Sequence, residues 1–326
     1  EPCTIDPSPP CGAHYGCRNR VRLQVRERPG RRTVGFFRMR SAEVVSVPHC
    51  PAADSKINAI LQPLIHFLNT EQLCRGVCEV EINTGESGEI TLLLHIGDGM
   101  KGPALHRLAE AALELEGVQA AAAAAPVALA MAGSPPILYS LCQESRVLTF
   151  RISPPAFMQA NLSANRTLVA AVTEYAAVES GNLVLDLFCG AGNLSLPLAV
   201  RGVEVLGVDQ SIQAIRCASN NAAENHIDNV QFICRSSHEA VEDLKRQGRR
   251  PDLVVMDPPR SGAKEVVESL LKLCPPRIVY VSCNPATLAR DMKTLLTGGY
   301  RAARAMPVDM FSQTSHIEAV MVVDRK

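Results

Sequence analysis

The 326-residue sequence predicts an α/β fold, with a doubly wound parallel sheet over residues 153–326 preceded by a strand-rich α+β domain over residues 1–152. Three observations predict it. From Arg166 onward helical and strand patterns alternate, the apolar segment 182–187 runs straight into a glycine turn, and before residue 152 apolar positions recur mainly with a period of two.

In the first part, Val21, Leu23 and Val25 alternate with Arg20, Arg22 and Gln24, which reads as a strand over 18–25 with one wet, basic face. Arg28-Pro29-Gly30-Arg31 turns the chain, and residues 33–39 return as its partner. A third strand, 43–47, stops at Pro48. Ile57, Ile60, Leu61 and Leu64 recur at helical spacing within 55–68, and 78–82 pairs with 90–96 as a hairpin. A helix over 104–115 and a strand over 146–152 complete the domain, which ends at Ser153-Pro154-Pro155. Ala120 to Ala125 is a low-complexity run to which no element is assigned.

The second part reads as helices 163–178, 193–200, 211–224, 237–246, 262–272 and 285–295. Between them lie buried strands at 182–187, 203–208, 229–234, 251–256 and 276–281, with a final strand at 319–323.

Composition excludes several classes. An apolar share of 47% with 20% charged residues is that of a chain able to bury a core, and 33 basic side chains cancel 33 acidic ones, so net charge points to no partner. Its distribution says more: residues 17–40 hold nine arginines and a single acid, Glu27, an excess suited to phosphate contacts and equally to a solvated hairpin face. The longest apolar run, Ala120 to Ala132, contains Pro126 and falls short of the roughly 18 residues a membrane span needs. The opening has neither the basic nor the apolar region of a signal peptide, so a cytoplasmic protein with reduced thiols and no membrane partner is expected. A Cys- and Pro-rich start without Met leads us to expect a natural N-terminus further upstream.

Asp186-Leu-Phe188-Cys-Gly190-Ala-Gly192-Asn193 is a strand end, a glycine turn and a helix start, an arrangement in which backbone can approach a nucleotide closely. The next strand ends near Asp209, whose carboxylate can accept both ribose hydroxyls. Ser195 replaces the third glycine of a dinucleotide fingerprint, and Asp186 would repel a pyrophosphate while tolerating a sulfonium and an amine. S-adenosylmethionine is therefore the expected cofactor, and Asp186 is also read as a carboxylate capping nearby N–H groups.

Asp257-Pro258-Pro259-Arg260 ends another strand, and such a motif serves amine-directed as well as carbon-directed methylation. The following strand delivers Cys283 to the same edge. Uracil C5 is too weak a nucleophile to take a methyl group unaided, so a thiolate must first add at C6, and a base must later remove the C5 proton. Cys283 is the expected nucleophile and Glu318 the expected base, while a small hydrophobe at 283 and a solvated carboxylate at 318 are the bland alternatives. Two rival functions stay open: methylation of an exocyclic amine, and a non-catalytic RNA-binding protein that retains the fold.

These residues resemble the bacterial RNA uracil-5-methyltransferases, which form 5-methyluridine in 23S ribosomal RNA or in tRNA. The likeness rests on Gly16 to Val21, His49-Cys50-Pro51, Phe157 to Asn161, Asp186 to Asn193, Asp257 to Gly262, Ser282 to Pro285 and Asp309 to Glu318. It implies a Rossmann-like class I methyltransferase domain, with Gln159, Phe188, Asn193, Asp209 and Asp257 against S-adenosylmethionine, Gly190 in the turn, Cys283 as nucleophile and Glu318 as base. RNA is the implied partner, 23S rRNA ahead of tRNA, because Phe188 to Gly192 and Ser282 to Asp291 are worded like the ribosomal branch. Departures matter too. Cys50 resembles one ligand of that branch's four-iron cluster, but Cys3, Cys11 and Cys17 have the wrong spacing for the others, so no cluster and no other metal is expected here. The upstream RNA-binding β-barrel of many relatives is not expected within these residues, Ser236 stands where a cofactor-touching Asn or Asp is usual, and Ser312 replaces a usual Pro.

Overall fold

The computed structural model of the chain describes residues 3–10, 12–28, 30–97, 99–133 and 137–326. They form two units, the first made of Ala13–Tyr139 and Arg151–Leu162, the second of Glu1–Gly12, Ser140–Phe150 and Ser163–Lys326. The boundary expected at 152/153 thus falls inside an exchange of segments. The short strand β1 (Thr4–Ile5) belongs to the second unit.

The first unit carries β2 (Arg20–Arg28), β3 (Arg31–Phe37), β4 (Val44–Ser46), α1 (Ser55–Thr70), β5 (Val77–Thr84), β6 (Ile90–Ile96), α2 (Gly102–Leu113), β7 (Val118–Ala125) and β8 (Ala128–Gly133). Its sheet runs β4-β3-β2-β5-β6-β7-β8, antiparallel except for β6 and β7, which α2 connects as a parallel crossover. One face alternates Val21, Leu23 and Val25 with Val80, Ile82, Leu92 and Leu94, and it buries these against Ile57, Leu61 and Leu64 of α1 and Leu105 and Leu108 of α2. Asp54 starts α1 by accepting the Lys56 N–H at 2.8 Å, which satisfies one of the unpaired donors of the first turn.

The alanine run is strand, not featureless linker. Alanine has low strand propensity and no periodicity to read, yet Ala121, Ala122 and Ala123 are buried, the first and third beneath α2. Small side chains suit a strand that packs closely on both faces.

Residues 151–162 join the first unit because Asn19 ties them down. Its Nδ2 donates to the Gln159 carbonyl at 3.0 Å, its Oδ1 accepts from the Leu162 N–H at 3.0 Å, and its own N–H donates to Ala160 O at 3.0 Å. A two-stranded hairpin, β9 (Ile137–Gln143) with β10 (Arg146–Ile152), supplies residues to both units.

The second unit follows with α3 (Leu162–Ala176), β11 (Leu183–Leu187), α4 (Ser195–Ala199), β12 (Glu204–Asp209), α5 (Ile212–Glu224), β13 (Val230–Cys234), α6 (Ser237–Arg246), β14 (Leu253–Met256), α7 (Lys264–Leu273), β15 (Arg277–Ser282), α8 (Pro285–Thr297), β16 (Tyr300–Val308) and β17 (Glu318–Arg325). The sheet order is β1-β16-β17-β15-β14-β11-β12-β13. The run from β13 to β15 is parallel, as the alternating pattern predicts, whereas β17 pairs antiparallel between β15 and β16. The sequence reading assigns nothing to β16, a largely half-buried strand whose apolar residues are interrupted by Arg301, Arg304 and Pro307. Leu185, Leu187, Val254, Met256, Ile278 and Tyr280 form the core beside α6, α7 and α8.

Candidate active site

Parallel strands end together, so β11, β12, β14 and β15 bring Phe188, Asp209, Asp257 and Cys283 to one edge of the second unit's sheet, where ligands of such sheets gather. Because β17 is antiparallel, its first residue, Glu318, lies at that same edge. Ser282 faces Ala319 in the β15–β17 ladder. Cys283 and Glu318 are the next residues beyond that last pair on the two strands, so they are neighbours at this edge.

The glycine turn is tightly held. Phe188, Gly190 and Gly192 have φ of 62°, 55° and 88°, and a Cβ added at Gly190 would meet no atom within 4 Å, so this turn leaves a cradle beside its backbone. Asp209 fixes the turn by accepting the Gly190 N–H at 3.0 Å and the Ser211 N–H at 2.8 Å through different oxygens. Each oxygen keeps a lone pair for a further donor such as a ribose hydroxyl. Asn193 exchanges two 2.8 Å amide hydrogen bonds with Asn165 of α3, so its side chain also positions the turn.

Asp186 is fully buried, and burial pushes its carboxyl up to about 7 against the hydrogen bond from the Ser195 hydroxyl, with Asp257 and Asp209 adding to the rise. Its Oδ1 has no hydrogen-bond partner among the described residues, and neither has Oε1 of Glu318, which is 2% exposed. Two orphaned buried acceptors and an open glycine cradle fit a cationic ligand that carries N–H and O–H donors, as S-adenosylmethionine does. Pyrophosphate would fit poorly.

At the thiol the electrostatics are equally marked. Burial pushes Glu318 up to about 9, with the Asp257 carboxylate adding to the rise and the Arg260 guanidinium offsetting part of it. The half-buried Cys283 thiol is raised by burial and then by Glu318 and Asp257, while Arg260 draws it back through its charge and a hydrogen bond. Cys283, Glu318, Asp257 and Arg260 are therefore near enough for their charges to act on one another, and Glu318 is buried, not solvated.

Known proteins are similar along nearly the whole chain. The family described as tRNA (Uracil-5-)-methyltransferase matches residues 9–326. The chain belongs to this family. The 23S rRNA (uracil(1939)-C(5))-methyltransferase RlmD of Erwinia tasmaniensis is 34% identical over 317 residues, 96% of this chain and 70% of that protein. Its counterpart in Yersinia enterocolitica is 35% identical over 321 residues, 95% of this chain and 69% of that protein. Among solved structures, the Pyrococcus abyssi tRNA (uracil-54, C5)-methyltransferase in complex with S-adenosyl-L-homocysteine aligns with a TM-score of 0.70 and 25% identity, covering 98% of this chain and 78% of that one.

Within this uracil-5-methyltransferase, sequence reasoning missed the residues that hold the 257–263 loop. Asn284 Nδ2 and Thr287 Oγ1 of the α8 start donate to the Arg260 carbonyl at 3.0 and 3.3 Å, and Arg290 donates to Ser261 O at 3.0 Å. The buried Asp291 carboxylate accepts the Ala263 N–H at 2.8 Å, the Tyr280 hydroxyl at 2.7 Å and Arg290 Nε at 2.8 Å. Gly262 is obligatory there, since its φ is 74° and a Cβ would lie 2.4 Å from Arg290 Nη2. Asp291 stands in the segment that carries the family likeness, and its pairing 28 residues back is invisible to spacing.

The remaining expected positions have local tasks. Gln159 lies in the first unit, largely buried, with its carbonyl held by Asn19. Ser236 caps α6 in a reciprocal box with Glu239. Ser312 donates to Asp309 Oδ2 at 3.0 Å. Among the described residues no group of three or more His, Cys, Asp or Glu side chains is placed to hold a metal ion, and no helix is long and apolar enough to cross a membrane.

Proposed function

We propose that the chain transfers a methyl group to C5 of a uridine in RNA, 23S rRNA foremost, through a covalent adduct of Cys283. The observation that carries this reading is the pairing of a half-buried thiol with a buried carboxylate at the sheet edge that also bears the glycine turn. When bound, S-adenosylmethionine supplies an electrophilic methyl group; Phe188, Gly190, Asn193, Asp209 and Asp257 are the residues proposed to hold it. The Cys283 sulfur, as thiolate, forms a bond to C6, and the displaced π electrons make C5 nucleophilic. Arg260 steadies the thiolate. Once C5 carries the methyl group, Glu318, which must be in its carboxylate form for this step, takes the C5 proton, the C6–S bond breaks and the ring double bond returns. The target base must leave its stack to meet these groups. An RNA enzyme of this kind works in the cytoplasm.

Identity of 34–35% to ribosomal RNA methyltransferases supports 23S rRNA over tRNA, for which the similar solved enzyme is 25% identical. RNA containing 5-fluorouridine tests the chemistry, because fluorine at C5 leaves no proton to remove and the adduct persists. Incubation with S-adenosylmethionine and either 23S rRNA or tRNA transcripts should yield a denaturation-resistant complex with wild type and none with Cys283→Ala. Wild-type protein that binds RNA and cofactor yet traps nothing would refute the mechanism. Retained methylation by Cys283→Ala would favour an amine target instead.

A further inference from the structure

The basic face of the N-terminal hairpin divides into two regions of different character. Nearest the middle of the sheet, Arg20 pairs with Glu81 at 2.6 Å, and Arg22 pairs with Glu81 at 3.1 Å and with Glu79 at 3.3 Å. Arg20 also lies 4.5 Å above the Phe157 ring and is only 15% exposed. Two guanidinium charges meet two carboxylates, so these arginines are largely committed within the unit.

Toward the β3–β4 edge the balance changes. Arg26, Arg31 and Arg40 have no carboxylate at ion-pair distance among the described residues, and Arg38 has one, Glu43, at 3.3 Å. Arg26 instead places its guanidinium 5.3 Å from the centroid of the Phe37 ring. The ladder pairs Gln24 with Gly35 and Arg26 with Thr33, so Arg26, Arg31 and Phe37 share one face of the sheet. Phe37 is 45% exposed and Met39, in the turn before β4, is 87% exposed. Arg26 donates to the Val25 and Cys78 carbonyls at 3.0 and 3.5 Å, and an aromatic ring left half in water beside guanidiniums without a carboxylate partner is unusual for a purely structural hairpin.

We infer that this edge is a docking surface for a single-stranded stretch of the RNA outside the target uridine, with a base stacked on the Arg26–Phe37 pair and phosphates on Arg31 and Arg40. This rests on the reading that the chain methylates RNA. Every base has a π face, so a ring–guanidinium platform takes unstacked RNA of many sequences, whereas duplex RNA hides those faces. A second copy of the chain is disfavoured as occupant, because an isologous contact would set the same positive patch against itself.

The test measures binding of unmodified 23S rRNA transcript to wild type, to Phe37→Ala and to the triple variant Arg26→Gln/Arg31→Gln/Arg40→Gln across a salt series. Loss of the two phosphate-facing charges, Arg31 and Arg40, should lower the log–log salt slope by about 1.4, and Phe37→Ala should weaken binding about tenfold with the slope unchanged. Both should raise KM for RNA and leave kcat and the 5-fluorouridine adduct as they are. Photo-crosslinking of wild type with 4-thiouridine RNA gives a readout independent of folding, and a crosslink within residues 31–45 is expected. Unchanged slope and affinity, or crosslinks confined to other segments, would overturn the docking surface. Absence of methylation by wild type, with the crosslink present, would instead count against the enzymatic reading alone.

Discussion

Cys283 and Glu318 lie just beyond the last paired residues of the β15–β17 ladder, and the Glu318 carboxylate and the Asp257 carboxylate both raise the cost of ionising the thiol. Removing the Asp257 charge should ease both ionisations. Asp257→Asn is therefore expected to move the midpoint of Cys283 alkylation to lower pH, read by mass spectrometry of the 283 peptide so that exposed Cys142 and Cys234 do not contribute. A midpoint that stays put or rises would contradict the cluster. Glu318→Gln should separate the two chemical steps: adduct still forms on ordinary RNA, then accumulates, with turnover reduced by at least about 100-fold. Single-turnover gels on normal and fluorinated RNA distinguish this from a general loss of activity.

At the scale of elements, the grip of α8 on the 257–263 loop decides where Arg260 sits relative to the thiol. Asp291→Ala leaves the Ala263 N–H and the Tyr280 hydroxyl without their acceptor and unpairs the part-exposed Arg290, a loss of about 1–3 kcal/mol for each buried group left unsatisfied. Asp291→Asn keeps the volume and part of the bonding. It should lower kcat by up to about 100-fold through misplacement of Arg260, with KM for RNA little changed and adduct formation slowed in step. Equal kcat in Asp291→Asn and wild type would reduce the clamp to a purely stabilising contact. The elements themselves were mostly legible, because each buried strand of the second unit is a short apolar run and each helix shows its 3.6-residue period. β7 and β16 were not legible: alanine has no period, and arginine stems at Arg301 and Arg304 cover apolar ground while reading as polar.

For the whole molecule, two buried carboxylates store a pH dependence of stability. Asp186 rises from an ordinary 3.8 to about 7 and Glu318 from 4.5 to about 9, so each favours the folded state most when protonated. Their contribution is complete below about pH 4 and declines as pH rises, ending near 7 for Asp186 and near 9 for Glu318. Wild type should therefore lose melting temperature relative to Asp186→Asn between pH 5 and 8, after allowance for their difference at low pH. A difference that stays constant across that range would show that Asp186 titrates normally.

Taken by itself, the sequence determined the alternation that makes a doubly wound sheet, the glycine turn, and the thiol that follows a buried strand. Those features are local or periodic, and strand polarity carries them to one edge without further information. Only the tertiary structure decided that Asn19 reaches 140 residues ahead to Gln159, that Asp291 holds the loop of Arg260, and that Glu79 and Glu81 neutralise the arginines nearest the sheet centre. Charge pairing and hydrogen bonding depend on distances in space, and spacing along the chain does not encode them.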